Sequence, residues 1–354
     1  MFRNLKNLIQ SHKLADSYSA DTSIFKDLEI GCSFDPFHHV FKEKGINPIS
    51  ALKYLHTELK IQNIRLSIKW SEVYKNEIFD FSYYKKYFDY CFSHNLKVVL
   101  NVGPIKTMRW PEEHIPEQFK ALVNKRDTIT LDHPIANAAL KYLEELLKYI
   151  KKEYSKNLKN IIAIQGDNEC FNRFGQYEVF VSTEFEKEVL KIIKTHFKDT
   201  TIFINSAALN DFKSIFKTIQ DINSEFILGV NYYYKVPYQN RIPFINKMDG
   251  TIILNKPFTM SPEHLKKIAS RKNYEIEISE LQGEPWGESV QSPGSDFTEF
   301  VFTLYRSLYL KPDSQRKMMV RYWGIEDLAV KFLNKTANSE NEKIKNLIAE
   351  INSN

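Results

Sequence analysis

Cysteine is scarce in this chain, and its three residues lie in different parts of the sequence: Cys32, Cys91 and Cys170. Their odd number and the lack of C-x-x-C spacing argue against a disulfide framework and against a structural zinc site. Cys170 directly follows a glutamate, but no His and Asn constellation accompanies it. A cysteine nucleophile therefore has no support in the sequence.

Long apolar runs and blocks of one charge are also missing. No segment approaches the roughly 18 apolar residues of a membrane span, and the first twenty residues lack the apolar stretch of a secretory signal. We therefore expect a soluble, cytoplasmic protein. The 49 basic residues are dispersed among 44 acidic ones, with a formal charge of +5. This pattern favours a solvated surface over nucleic-acid binding.

The usual short motifs of cofactor and metal sites do not occur. The sequence has no P-loop, no G-x-G-x-x-G and no H-E-x-x-H, so we expect no nucleotide, no dinucleotide and no catalytic zinc. The adjacent pair His38 and His39 resembles a metal motif. Neighbours in an extended segment point to opposite sides, so we predict no metal here and expect His38 to line a cleft.

The chain does contain a regular alternation of strand-like and helix-like segments. Continuous β-rich apolar runs, which are typical of strands buried on both faces, occur at residues 28–34, 63–68, 97–102, 161–166, 201–205, 226–231, 274–279 and 317–323. Segments with helical periodicity separate most of them, at 48–59, 134–154, 185–197, 211–222, 261–272 and 296–310. Eight such units predict an α/β fold, a single-domain (β/α)8 TIM barrel.

The pattern also suggests how the chain is divided. We predict an N-terminal lead-in at 1–27, the barrel at 28–335 and a C-terminal helix at 336–354. The connection at 103–134 is too long for a plain turn, so we expect it to form a wall of the cleft. A second long connection, at 235–258, is predicted to contain a small hairpin at its Met-Asp-Gly sequence.

Two glutamates follow predicted strands at the end where barrels place their functional side chains. Asn168 and Glu169 come after the fourth run, and Glu280 comes after the seventh. These strands lie across the barrel from each other, so we expect the two carboxyl groups to face each other. Such a pair suits glycoside hydrolysis by double displacement: one glutamate attacks the anomeric carbon, and the other protonates the leaving oxygen and later deprotonates water.

An Asn-Glu after the fourth strand and a Ser-Glu after the seventh resemble the signature of clan A glycoside hydrolases. These are retaining (β/α)8 barrels that include cellulases and β-galactosidases. Other segments resemble motifs of the clan in the same order, over residues 28 to 330: RLSIKW, KTMRWPEEHIP, GVNYYYK, SELQGEPWG and RYWGIED. The second and fourth are similar to the K-x-x-RWPE and TELQ-x-EPW segments of uncharacterised bacterial, family 5-like members.

The resemblance implies a role for each matched residue. Glu169 would be the acid/base and Glu280 the nucleophile, although the reverse assignment stays open. Asn168 would contact a sugar 2-hydroxyl, and Arg65 and Tyr233 would lie next to the nucleophile. The remaining candidates for substrate binding are the platform Trp323 and the rim residues Arg109, Trp110, Glu284 and Trp286.

Each of these residues also has a simpler interpretation. Lys106 and Arg109 fit subsite contacts and solvated loop charges equally well.

We expect a raised pKa for Glu169, because the acid must begin protonated, and an ionised Glu280. Cys170 stands where many relatives have proline, and no small His or Asn is obvious near the end of the third run.

Two other functions remain open on the sequence alone. A non-catalytic barrel could keep the same cleft and bind an oligosaccharide, and a transglycosylase could use the same two glutamates. The substrate would be an oligosaccharide or glycoconjugate in every case. The sequence does not name the sugar, the linkage, exo or endo action, or the oligomeric state.

Overall fold

Eight parallel strands close into a barrel in the computed structural model of the protein, which describes residues 28–109, 111–206, 211–232, 235–239, 249–253, 274–283 and 317–353. Each strand pairs with the next along the chain, and the last closes on the first. The strands are β1 (Leu28–Phe34), β2 (Asn63–Ser67), β3 (Lys97–Asn101), β4 (Ile161–Gln165), β5 (Thr201–Ser206), β6 (Phe226–Tyr232), β7 (Glu275–Gln282) and β8 (Met318–Trp323). The eight predicted runs are these eight strands, so the predicted TIM barrel is confirmed.

Helices cover the outside of the barrel. In chain order they are α1 (His39–Glu43), α2 (Pro48–Glu58), α3 (Trp70–Val73), α4 (Ser82–Ser93), α5 (Glu117–Lys120), α6 (Ala136–Glu153), α7 (Thr183–His196), α8 (Asp211–Ile219), α9 (Ile325–Leu333) and α10 (Ser339–Ser353). The helical segments predicted at 48–59, 134–154, 185–197 and 211–222 are α2, α6, α7 and α8. The two predicted at 261–272 and 296–310 lie outside the described residues, as does the lead-in at 1–27.

The sequence analysis missed two helices that pack on the barrel. In α4, the buried side consists mainly of aromatic residues, among them Tyr84, Tyr87 and Phe88, and aromatic residues favour strands over helices. Tertiary packing overrides that local preference. In α9, the helix follows β8 after a single residue, Gly324, so no separate polar loop marks where it begins.

The connection after β6 contains a hairpin, but not at the predicted place. Its antiparallel strands are Lys235–Gln239 and Asp249–Ile253. Asp249 and Gly250 therefore begin the second strand instead of forming the turn. No helix within the described ranges is long and apolar enough to cross a membrane.

The barrel has two apolar clusters that differ in location. The larger one fills the space between strands and helices. The smaller one consists of Val99, Ala163, Phe203 and Ile227, which come from four adjacent strands. The Phe203 ring lies within 5.4 Å and 5.9 Å of the guanidinium carbons of Arg65 and Arg321, so this cluster is in contact with charged groups of the barrel interior.

Candidate active site

The site is organised around Arg65, a fully buried arginine in the middle of β2. Its Nη1 donates to Glu280 Oε1 at 2.7 Å, its Nη2 to Asn168 Oδ1 at 2.6 Å and its Nε to Gln165 Oε1 at 2.8 Å. These acceptors lie in β7, just after β4, and at the end of β4. One planar guanidinium thus fixes the relative positions of residues on three strands.

A β-bulge in β7 turns Glu280 into the barrel mouth. Asn231 of β6 pairs with Glu280, and Ser279 is skipped in the ladder; the register against β8 shifts over the same residues. In a regular strand, Ser279 and Glu280 would point to opposite faces. Here Ser279 Oγ donates to Asn231 Oδ1 while Glu280 pairs with Arg65, so both adjacent side chains contact polar groups of the interior. Bulges commonly redirect side chains in this way next to active sites.

Glu169 lies in the loop after β4, in a backbone conformation that is unusual for its residue type. Its φ is +44°, in the left-handed region. Its amide donates to Asn205 Oδ1 at 3.2 Å, and its Oε1 accepts from Asn231 Nδ2 at 2.6 Å. Asn231 is also the ladder partner of Glu280 in the sheet, so one residue contacts both glutamates, through its side chain and through its backbone position.

Glu169 is surrounded by groups that favour its protonated form. Burial raises the pKa of Glu169, and the negative charges of Glu112 and Glu280 raise it further, while the positive charge of Lys106 opposes the shift. The balance leaves the pKa well above that of an ordinary glutamate. A raised pKa is what the sequence analysis expected for an acid that must begin protonated.

The structure adds a third carboxyl group, Glu112, that the sequence analysis did not single out. Its Oε2 lies 3.5 Å from Nζ of Lys106, a lysine with no exposed surface. Burial raises the pKa of Glu112 to about 7, with Lys106 opposing and Glu113 and Glu280 adding repulsion. The sequence feature that could have identified Glu112 is its place in the Arg-Trp-Pro-Glu sequence of the connection at 103–134, the cleft-wall loop. Lys106 is not a solvated loop charge, because it is buried.

A set of amide side chains connects the charged residues, and most of these amides were also missed. Asn205 Nδ2 donates to Asn168 Oδ1 at 2.9 Å, and Gln165 Nε2 donates to Asn205 Oδ1 at 2.8 Å. Since Arg65 also donates to Asn168 Oδ1, the Nδ2 group of Asn168 is the one available to a ligand. At the end of β3, Asn101 donates to Gly166 O and accepts from Met108 N. It is the small polar residue that the sequence analysis did not find near that strand end.

Trp323, the last residue of β8, is held at the mouth by the cleft-wall loop. Its Nε1 donates to Met108 O at 2.9 Å, and the guanidinium carbon of Arg109 lies 4.6 Å from its ring centroid. Arg109 is itself paired with the buried Glu326 at 2.6 Å. Arg109 therefore braces the tryptophan from a buried position, and the interpretation as a solvated loop charge is wrong.

A cavity of about 520 Å³ is lined by His38 and His39, and Arg109, which contacts the Trp323 ring, also lines it. Glu169 and Glu280 are not among its lining residues. His38 caps α1, since its Nδ1 accepts from Val40 N, and its ring stacks on His39 with centroids 4.5 Å apart. The expectation that the two rings point to opposite sides was wrong, because they begin a helix instead of an extended segment. Other lining residues are Lys69, Arg109, Glu113 and His114.

Four predicted site residues lie outside the described part of the chain: Trp110, Tyr233, Glu284 and Trp286. Their roles stay predictions. The described residues bring Arg65, Asn168, Glu169 and Glu280 together, and they place Trp323, Arg109 and His38 along the adjoining mouth and cavity.

Comparisons with known proteins bear on the fold. No protein-family model matches the sequence, and no curated protein matches it. A GH5-4 broad-specificity endoglucanase from an uncultured bacterium matches with a TM-score of 0.56 at 12% identity, over 95% of this chain and 96% of that one. The chain has the fold of the GH5 barrels.

Two further structures give the same result. A GH5-4 broad-specificity endoglucanase from an uncultured bovine rumen ciliate matches with a TM-score of 0.55 at 10% identity, over 94% of this chain and 97% of that one. A GH5 lichenase from Caldicellulosiruptor sp. F32 matches with a TM-score of 0.52 at 10% identity, over 95% and 96%. At such low identity the likeness concerns the fold, and function has to be argued from the site.

Proposed function

We propose that the protein is a retaining glycoside hydrolase in which Glu169 is the acid/base and Glu280 the nucleophile. The observation that carries the proposal is the unequal setting of two carboxyl groups in one network. Glu169 is buried among negative charges that favour its protonated form, whereas Glu280 is paired with Arg65 at 2.7 Å. Carboxyl groups whose surroundings favour opposite protonation states are the usual acid and nucleophile of such enzymes.

In the first step, Glu169 donates its proton to the glycosidic oxygen while a Glu280 oxygen attacks the anomeric carbon. The bond to the leaving sugar breaks, and a glycosyl ester forms on Glu280. Arg65 orients Glu280 for this attack and compensates its charge in the buried site. Asn168 can donate from Nδ2 to a hydroxyl of the bound sugar.

In the second step, Glu169 takes a proton from water, and the resulting hydroxide displaces Glu280 from the sugar. The ester on Glu280 carries no charge, so one of the two negative charges that raise the pKa of Glu169 is absent at this stage. Glu169 can therefore remain ionised and act as a base. None of these steps requires a cofactor.

For the substrate, we propose a β-linked glucan or a related oligosaccharide. The matching structures are described as endoglucanases and a lichenase. Trp323 at the mouth remains the candidate platform for a sugar ring. Arg109, which contacts the Trp323 ring, also lines a cavity of about 520 Å³.

Substitution of the two glutamates tests this proposal. A panel of aryl β-glycosides, one per sugar, first identifies a substrate, and β-glucan oligosaccharides follow. Glu169→Gln is expected to lower turnover by about 10²–10⁴-fold, the usual contribution of a general acid, and Glu280→Gln by at least as much. Glu277→Gln is the matched control, because Glu277 is also a buried barrel glutamate but pairs with Arg321. Circular dichroism checks that all three variants fold.

Azide distinguishes the two roles. It should rescue Glu280→Ala with inversion at the anomeric carbon, because the small anion enters in place of the nucleophile. Full activity in either glutamate variant contradicts the assignment. Binding of oligosaccharides without turnover by the wild-type protein would support a sugar-binding barrel, and a higher yield with an added sugar acceptor than with water would support a transglycosylase.

A further inference from the structure

The turn at residues 106–113 holds Lys106 and Glu112 side by side. Thr107 N donates to Glu112 O at 2.9 Å, Glu112 N donates to Arg109 O at 2.7 Å, and Lys106 pairs with Glu113 in an antiparallel bridge. Glu112 has a φ of +67°, which only a closely held turn imposes on a non-glycine residue. The backbone thus fixes the position from which the Glu112 side chain extends.

Lys106 connects this turn to the loop that carries Glu169. Its Nζ lies 3.2 Å from both O and Oδ1 of Asn172, and its carbonyl accepts from Asn168 N at 3.0 Å. The backbone amide of Asn172 in turn donates to Glu169 O at 3.1 Å. One buried cation therefore contacts the Glu112 carboxyl group on one side and the hydrogen-bond partner of Glu169 on the other.

The charged groups around Glu112 are unbalanced. Lys106, Glu113, Glu280 and Glu169 all act on it. Arg65 is paired with Glu280 and so compensates that carboxylate. Within the described part of the chain, three further glutamates face one lysine, so these carboxyl groups cannot all ionise at little cost, and the charge on one affects the others.

We propose that Glu112 is a positioning residue that, together with Lys106, sets how firmly Glu169 holds its proton. An ionised Glu112 keeps the proton on Glu169, and Lys106 limits this effect, so that the proton can still be given to the substrate. The assignment of a catalytic acid to Glu169 rests on the proposed function, but the coupling between the two carboxyl groups does not.

The pH dependence of kcat/KM tests the inference. Glu112→Gln removes a negative charge without changing the shape, so Glu169 should lose its proton at lower pH. The ratio of kcat/KM at pH 8 to that at pH 6 is expected to fall by roughly three- to tenfold. Lys106→Met should shift the alkaline limb of the kcat/KM profile to higher pH. Glu145→Gln is the control, because it removes a glutamate from an exposed Glu–Lys pair on α6 and should leave the profile unchanged.

A second measurement does not depend on turnover. In protein labelled with ¹³C at the glutamate carboxyl carbon, the resonance of Glu169 is assigned by its loss in Glu169→Gln and followed through a pH titration. Its midpoint should fall in Glu112→Gln. If the midpoint moves but the protein hydrolyses no glycoside, the coupling stands and the proposed function fails.

Three results would overturn the inference. An unchanged Glu169 midpoint excludes the coupling. A raised KM with an unchanged pH profile makes Glu112 a substrate contact instead. Loss of turnover that azide restores makes Glu112 a catalytic group in its own right.

Discussion

Arg65 shows how one residue determines the geometry of the whole site. Its guanidinium donates to Glu280, Asn168 and Gln165, and a buried cation is tolerated only with such compensation. The barrel contains a second fully buried arginine, Arg321, which pairs with Glu277 at 2.5 Å and donates to Asn63 at 2.7 Å. The two arginines resemble each other in burial and pairing but differ in their partners.

This resemblance gives a controlled test of the role of Arg65. Arg65→Lys keeps the charge but loses the fixed, planar set of donors, so we expect a loss of about 1–3 kcal/mol in the free energy of unfolding. Displacement of Glu280 and Asn168 should also lower kcat/KM by about 100-fold. Arg321→Lys should cost similar stability, measured by urea unfolding, with little change in kcat/KM. Equal losses of activity in both variants would contradict a specific role for Arg65.

Whether a site residue could be predicted from the sequence depended on its place in the chain. Arg65, Asn168, Glu169 and Glu280 lie in or after buried strands within recognisable motifs, so sequence reasoning found them. Asn205 is also near the end of a strand, but an amide carries no distinctive signal. Glu112 lies in a surface-like loop sequence, and only the fold of that loop brings it near Glu169 and Glu280.

At the scale of elements, the cleft-wall turn at 106–113 depends on a second loop beneath it. Gln176 N donates to Pro111 O at 3.1 Å, and Val179 N donates to Glu113 Oε1 at 3.3 Å. Directly before Gln176, Gly175 adopts a φ of +108°, and a Cβ added there would overlap the Glu113 carboxylate. The second loop thus supports the turn only because a glycine leaves room for that carboxylate.

A glycine substitution tests this support. Gly175→Ala adds both backbone strain and an overlap with Glu113, so we expect a loss of about 2–4 kcal/mol in the free energy of unfolding, with lower activity. Gly45→Ala is the matched control: its φ is +64°, but no atom lies within 4 Å of the added Cβ. Strain alone should cost about 1 kcal/mol there. Thermal unfolding and glycosidase assays compare the two, and equal losses would argue against the overlap.

The bulge in β7 is the element that sequence reasoning could not foresee. The sequence analysis ended this strand at residue 279, because the apolar alternation stops there, but the strand continues to Gln282. The extra residue is defined only by pairing with β6 and β8. A bulge that arises from pairing between distant segments cannot be predicted from the local pattern of apolar residues.

For the whole molecule, a buried pair of acids links the barrel to its helical layer. Asp167 follows β4, and its Oδ1 accepts from the amides of Ile105 and Lys106 at 2.8 Å and 2.6 Å. The buried Glu186 of α7 lies close enough to Asp167 for the charge of the Asp167 carboxyl group to act on it. Burial raises the pKa of Asp167 to about 6, and burial together with the charge of Asp167 raises the pKa of Glu186 well above its usual value.

These shifts give a pH dependence of stability with a defined sign. Unfolded carboxyl groups titrate near pH 4, so above that pH the folded protein holds more protons than the unfolded one. The contribution of the pair is therefore present at low pH and is lost as the pH rises through about 6 and beyond. Alkaline conditions place two charges in a buried space, which destabilises the fold.

The variant Glu186→Gln tests this dependence. Its amide can donate to Asp167 at every pH, so we expect a gain of about 1–3 kcal/mol in the free energy of unfolding at pH 8, with a smaller change at pH 5. Glu188→Gln, on the same helix but exposed, is the control. Urea unfolding at the two pH values measures both. If Glu186→Gln kept the wild-type dependence of stability on pH, the proposed effect of this acid pair would be contradicted.

The sequence by itself determined the barrel and the two strand ends that carry Glu169 and Glu280. Eight apolar runs that alternate with amphipathic helices are buried as a parallel sheet covered by helices, and their number matches a closed barrel. The tertiary structure alone decided that Arg65 joins three strands, that a bulge aims Glu280 inward and that Glu112 and Lys106 lie near Glu169 and Glu280. Those relations depend on strand pairing and loop packing between segments that are far apart in the chain. Their charged groups interact strongly only after folding has brought them together and removed them from water.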